Sequence, residues 1–263
     1  MRTTISTAGR LAVVVAIVFT AGSLPLRASA TQPTPGAAEA AAAQQAAAAK
    51  DCPAALDHFE AALRADADNL RYGSDYRKSV IACAAYDRAI AFFGKLTDEH
   101  PGAANALLNY GYAYVDKIPA AGAITQVILA NSALTLFGKS LDLQESWLGL
   151  YTRGNSYLYW PKVFGRTPLG VADLEKAVAR GDAEGNRPYH VRAWIALGDG
   201  YWKLDQLDKA RATWQEGLRR FPGEPRLQAR LDKQGEELTA LIEGSMDPAK
   251  RVDTDLAVLW APQ

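Results

Sequence analysis

Residues 191–224 read VRAWIALGDGYWKLDQLDKARATWQEGLRRFPGE. Leu197 and Gly198 lie three and four residues after Trp194, and Tyr201 lies four and three after them, the spacing that places side chains on one face of a helix. Ala210, Trp214 and Gly217 repeat those steps further on, and Pro222 closes the stretch. A glycine on the first helix lets its neighbour come close, and the large side chain of the second helix fills the gap. The unit is a pair of packed helices.

The same pair recurs upstream. Gly-x-x-Tyr occurs as Gly73/Tyr76, Gly111/Tyr114, Gly154/Tyr157 and Gly198/Tyr201, at intervals of 38, 43 and 44 residues. After each comes a small residue, a large apolar residue four later and a small or apolar residue three after that: Ala89/Phe93/Leu96, Ala133/Phe137/Ser140, Gly170/Leu174/Ala177 and Ala210/Trp214/Gly217. An earlier copy, Ala55/Phe59/Ala62, follows an alanine run in place of the glycine partner. Beyond residue 50 the chain is rich in Ala, Leu, Lys, Glu and Arg with few alternating runs, so it reads as nearly all helix. Pairs repeated at this period stack into a solenoid.

The copy at 191–224 resembles the tetratricopeptide repeat (TPR), whose Trp, Leu, Gly, Tyr, Ala, aromatic, small and Pro positions are filled by Trp194, Leu197, Gly198, Tyr201, Ala210, Trp214, Gly217 and Pro222. The looser copies extend the resemblance over residues 37–224. It implies an all-α, helix-turn-helix repeat solenoid of about four to five repeats with stretched connections, acting as an interaction scaffold and not as an enzyme. In such a stack the concave surface is lined by first-helix positions. Here these are Ser74, Arg77 and Lys78, then Tyr112 and Asp116, then Tyr151, Asn155 and Tyr159, then Arg192, Asp199, Trp202 and Lys203. Aromatic surface with mixed charge suits a protein or peptide partner, bound as an extended segment or a helix. Tyr112 and Tyr151 have a second reading, as packing between copies.

Three connections are longer than the repeat requires: Tyr76 to Ala89, Lys117 to Ile124, and Trp160 to Pro168. Long connections either carry function or cover exposed core. The third sets Tyr159, Trp160 and Phe164 beside Lys162 and Arg166 between prolines, a composition suited to partner contact. An alternative function follows, in which the aromatic loop 159–168 closes a pocket for a small molecule. Past Pro222, residues 226–244 read as one charged amphipathic capping helix, so 225–263 forms the cap and a tail. Leu256 to Trp260 in that tail either docks back on the solenoid or meets a partner.

The chain has 263 residues, 49% of them hydrophobic, with 29 basic and 29 acidic side chains. This composition excludes a disordered chain, and the balanced charge gives no footprint for nucleic acid. Residues 1–30 read as a secretory signal: Arg2 and Arg10 precede the apolar run Leu11 to Phe19, and Ala28-Ser29-Ala30 supplies small residues for cleavage. The apolar run is too short to span a bilayer, so the mature protein is expected to be periplasmic or secreted, without stable membrane insertion. Cleavage removes Arg2, Arg10 and Arg27 and no acid, leaving 26 basic side chains against 29 acidic. Residues 31–36 form a linker, and Ala37 to Lys50, with ten alanines in fourteen positions, is a first helix that frays or packs. In an oxidising compartment Cys52 and Cys83 form a bridge or remain two buried thiols. His58, His100 and His190 lack zinc-ligand spacing, and no nucleophile or phosphate motif occurs, so no catalytic residue, metal or cofactor is expected.

Overall fold

The computed structural model describes Met1, residues 34–247 and residues 254–261. The chain divides into Met1–Pro33 and Thr34–Gln263, and the helices described here belong to the second unit. Apart from Met1, the expected signal segment 1–30 lies outside the described residues, as do residues 31–33 of the linker.

Twelve α-helices and no strand occur among the described residues. They form five antiparallel pairs: α1 (Ala37–Ala48) with α2 (Cys52–Ala65), α3 (Leu70–Ala82) with α4 (Tyr86–Glu99), α5 (Ala104–Lys117) with α6 (Ala123–Leu143), α7 (Trp147–Leu158) with α8 (Thr167–Ala183), and α9 (Val191–Lys203) with α10 (Leu207–Arg220). Two shorter helices follow, α11 (Pro225–Asp232) and α12 (Gly235–Ser245). The architecture is the all-α repeat solenoid.

Phe59, Phe93, Phe137, Leu174 and Trp214, the large residues of the second-helix pattern, are each 2% exposed or less. Their burial supplies the continuous core, about 1.5–3 kcal/mol for each such side chain. In three pairs the first-helix glycine faces this residue directly. A Cβ added at Gly111 would lie 2.4 Å from the Phe137 ring, at Gly154 2.8 Å from Leu174, and at Gly198 2.1 Å from the Trp214 ring. Gly73 instead makes room for the Asn109 side chain of the next pair.

Helix α1 is packed. Ala40 and Ala43 are buried, Ala43 joins the core with Leu56 and Phe59, and Glu39 hydrogen-bonds His58 of α2 at 2.6 Å. A disulfide joins Cys52, at the start of α2, to Cys83, at the end of α3, with Cα atoms 5.9 Å apart.

Two connections differ from the simplest reading of their length. The extra residues after Lys117 form a short 3₁₀ turn at Ile118–Ala120 and then lengthen α6 to 21 residues, whose first turns leave Ile124, Val127 and Ile128 exposed. The expected single capping helix over 226–244 is two helices. Arg211 donates to the carbonyls of Leu231 and Lys233, ending α11, and Gly235 takes a left-handed φ of 52° where α12 begins.

Candidate interaction groove

The first helices α3, α5, α7 and α9 line one side of the stack, and residues 254–260 lie across it. The anchor is Arg77 of α3. Its Nε donates to Asn109 Oδ1 at 3.0 Å, Nη1 to Asp116 Oδ2 at 2.9 Å and Nη2 to the carbonyl of Thr254 at 2.9 Å. The guanidinium also sits 4.5 Å from the centre of the Tyr112 ring, a cation–π geometry. Arg77 and Asp116 are almost wholly buried, so their attraction acts at low dielectric and each polar atom needs its partner.

The tail is read at three further points. The Thr254 hydroxyl donates to Asp116 Oδ1 at 2.5 Å, and Lys78 Nζ lies 2.9 Å from Asp255 Oδ1. Asp255 also accepts from the Ala257 N–H at 2.8 Å, starting a turn through Leu259. Burial opposes ionisation of this carboxyl, but the Ala257 N–H and the Lys78 ammonium together hold it below the usual carboxylate range. Leu256 is 3% exposed in a cluster with Tyr112, Trp147, Leu150 and Ala193, and Trp260 packs under the Arg71 guanidinium at 5.7 Å.

The residues expected to line an open surface therefore separate into three places. Arg77, Tyr112, Tyr151 and Arg192 meet around the tail, Tyr151 stacked on Trp147 at 5.2 Å and Arg192 beside Leu256 and Leu259. Of these, Arg77 and Tyr112 are not presented to solvent: Tyr112 shares a 2.5 Å hydrogen bond with Thr152, and burial pushes its hydroxyl pKa up to about 12. Asp199 is likewise buried, holding Arg230 of α11 through two hydrogen bonds of 2.6 and 2.7 Å. Trp202 and Lys203 face α12, and Lys203 donates to the carbonyls of Leu158 and Trp160, capping α7. Burial lowers the Lys203 pKa.

Asn155, Tyr159 and Trp160 line a separate pocket of about 270 Å³ between α6 and α7, with Val115, Ile118, Val127 and Leu134. The two insertions that the sequence presents separately meet here. Arg166 stacks over the Trp160 ring at 3.7 Å and donates to Asn131 of α6 at 2.8 Å, while Phe164 packs edge-on against Trp160 and stays 56% exposed. Of the loop 159–168, Tyr159, Trp160 and Pro161 contribute to the wall of this pocket. Sequence reasoning missed Asn109, Thr254 and Asp255 as parts of the groove; only the tail's apolar run signalled that something docks.

No helix of the described residues is long and apolar enough to cross a membrane, and none of their His, Cys, Asp and Glu side chains cluster to hold a metal ion. Among curated proteins none matches the chain. The family model for the tetratricopeptide repeat matches residues 191–231. Among solved structures, a thermophilic TPR protein of Thermus thermophilus superposes with a TM-score of 0.53 at 19% identity, over 78% of this chain and 99% of that one. Similar too are a TPR protein, YrrB, described as having an unusual peptide-binding site (TM-score 0.49, 14% identity, 73% and 89% covered) and the MamA protein (0.48, 15%, 76% and 96%). Residues 191–231 thus match the tetratricopeptide-repeat model, and the chain has the fold of tetratricopeptide-repeat proteins.

Proposed function

We propose that the protein is an exported interaction scaffold whose first-helix groove takes a short apolar segment of a protein partner. The TPR fold is one of interaction scaffolds, and the observation that carries the reading is the groove's present content: residues 254–260 seated on Arg77, Asp116 and Lys78 with Leu256 buried. Export rests on Arg2, Arg10 and the apolar run that follows them, and a disulfide between Cys52 and Cys83 suits an oxidising compartment. The test is a random octapeptide library selected on the full chain carrying Leu256→Ser and Trp260→Ala. Selected peptides should lose binding when Tyr151→Ala or Arg192→Glu is added. Peptides that bind these groove variants unchanged would reject the reading.

The pocket between α6 and α7 supports a second reading. It is largely apolar, joins two insertions absent from a minimal repeat, and counts exposed Val127 and the polar Asn155 among its lining residues. Such a site takes a small, largely apolar ligand with one hydrogen-bonding group. A solvatochromic apolar dye should bind and be lost with Ala130→Trp, which fills the space; dye binding that survives the substitution places the site elsewhere.

A further inference from the structure

We propose that residues 254–260 are a built-in competitor for the groove, and that the partner's segment carries the same signature: Ser or Thr, then Asp, then a large aliphatic residue, with an aromatic four positions after it. The inference rests on the groove reading and adds what the groove selects.

Each position of the signature has a physical reader. Arg77 contacts the carbonyl of Thr254 and so reads backbone, holding any sequence in register. Asp116 Oδ1 takes the Thr254 hydroxyl in a buried setting, where a Val of the same shape would withhold that donor from a carboxylate. Lys78 meets Asp255, whose carboxylate also starts the turn, so the acid serves both the contact and the local conformation. Beside Arg77, which Asp116 neutralises, Arg71, Lys78 and Arg192 lie at the tail, with Asp75 shared by Arg71 and Lys78, a lining that suits an acidic segment. Leu256 fills the space walled by Tyr112, Trp147 and Leu150, and the turn carries Trp260 onto Arg71.

The tail belongs to the same chain as the groove and begins at Thr254, nine positions after α12 ends at Ser245. Covalent attachment at so short a sequence distance gives an effective concentration on the order of millimolar, so a free segment with equal contacts is outcompeted. A partner enters by making the same contacts and adding its own, and the tail leaves as it does. Binding and tail release are then one exchange.

The experiment uses the full chain and a fluorescein-labelled peptide with the sequence of residues 254–261. The Leu256→Ser, Trp260→Ala chain, checked by circular dichroism, should bind this peptide at least about tenfold more tightly than the unsubstituted chain does. Thr→Val or Asp→Lys in the peptide should each weaken binding about tenfold. Lys78→Glu, at a half-exposed position and checked by circular dichroism in the same way, should reverse the charge preference so that the Lys-bearing peptide binds better. Equal binding by the substituted and unsubstituted chains overturns the competitor. Library peptides that need Tyr151 and Arg192 but lack the signature overturn the specificity while leaving the groove reading standing; a chain that binds no peptide in the groove overturns both.

Discussion

The guanidinium of Arg77 donates to the backbone carbonyl of Thr254 at 2.9 Å, across 177 positions of sequence. The same side chain neutralises Asp116, whose carboxylate is 1% exposed. Arg77→Met leaves that carboxylate buried without its cation and is expected to cost about 3–5 kcal/mol in urea denaturation. Arg77→Met with Asp116→Leu should recover part of the loss. A double variant that costs the full sum of the two single ones would disprove the coupling.

The Cys52–Cys83 bridge closes a loop with a sequence separation of 31. Removing it frees the unfolded chain, so Cys52→Ala with Cys83→Ala should lose about 3–4 kcal/mol and melt lower. Reductant should lower the Tm of the natural chain and leave the variant unmoved; identical melts with and without reductant would refute the contribution.

His190 gives the fold a pH dependence. The ring is 1% exposed, packed on Trp147 at 4.8 Å, and its Nδ1 accepts from the Arg187 N–H. Burial lowers its pKa below 6.5 although Glu184 and Asp182 favour the charged form; Arg187 acts with burial. The unfolded chain therefore binds the proton more readily. Stability falls as pH drops from about 6.5 toward the lowered value, by at most about 1.4 kcal/mol per pH unit. Urea midpoints measured across that window should show the slope, and His190→Gln should flatten it.

The glycines divide by what stands opposite them. Gly198→Ala and Gly111→Ala push a methyl into the Trp214 and Phe137 rings and should destabilise by about 1–3 kcal/mol, more than the helix-propensity gain of about 1 kcal/mol returns. Gly138 has only Arg153 Nη1 at 3.7 Å before it, so Gly138→Ala should be neutral or stabilising by up to about 1 kcal/mol. Thermal melts of the three variants decide; a stabilised Gly198→Ala chain would refute the close packing.

The second-helix register was legible in the residues because burial at Phe59, Phe93, Phe137, Leu174 and Trp214 imposes a local spacing that any reader can count. The groove was less so. Family positions identify which side chains face inward, but Arg77 and Asp199 are used within the chain by Thr254 and Arg230, and no periodicity announces a partner so far along the sequence. The apolar pattern of 226–244 also runs unbroken through Gly235, whose backbone turns there. Nor does either insertion reveal alone that Arg166 will reach Asn131.

The two-part cap has a consequence for growth. A stack of repeats has ends, and an end with an apolar face is one on which another molecule can add. Here Leu227, Leu238 and Ile242 are 2% exposed or less against α9 and α10, Leu231 and Leu241 are half-buried, and the Asp199–Arg230 pair bolts the cap inward. The exposed positions of α11 and α12 are mostly polar, Arg226, Gln228, Asp232, Glu236, Glu237 and Glu243 among them. The apolar end of the last repeat is thereby covered by α11 and α12.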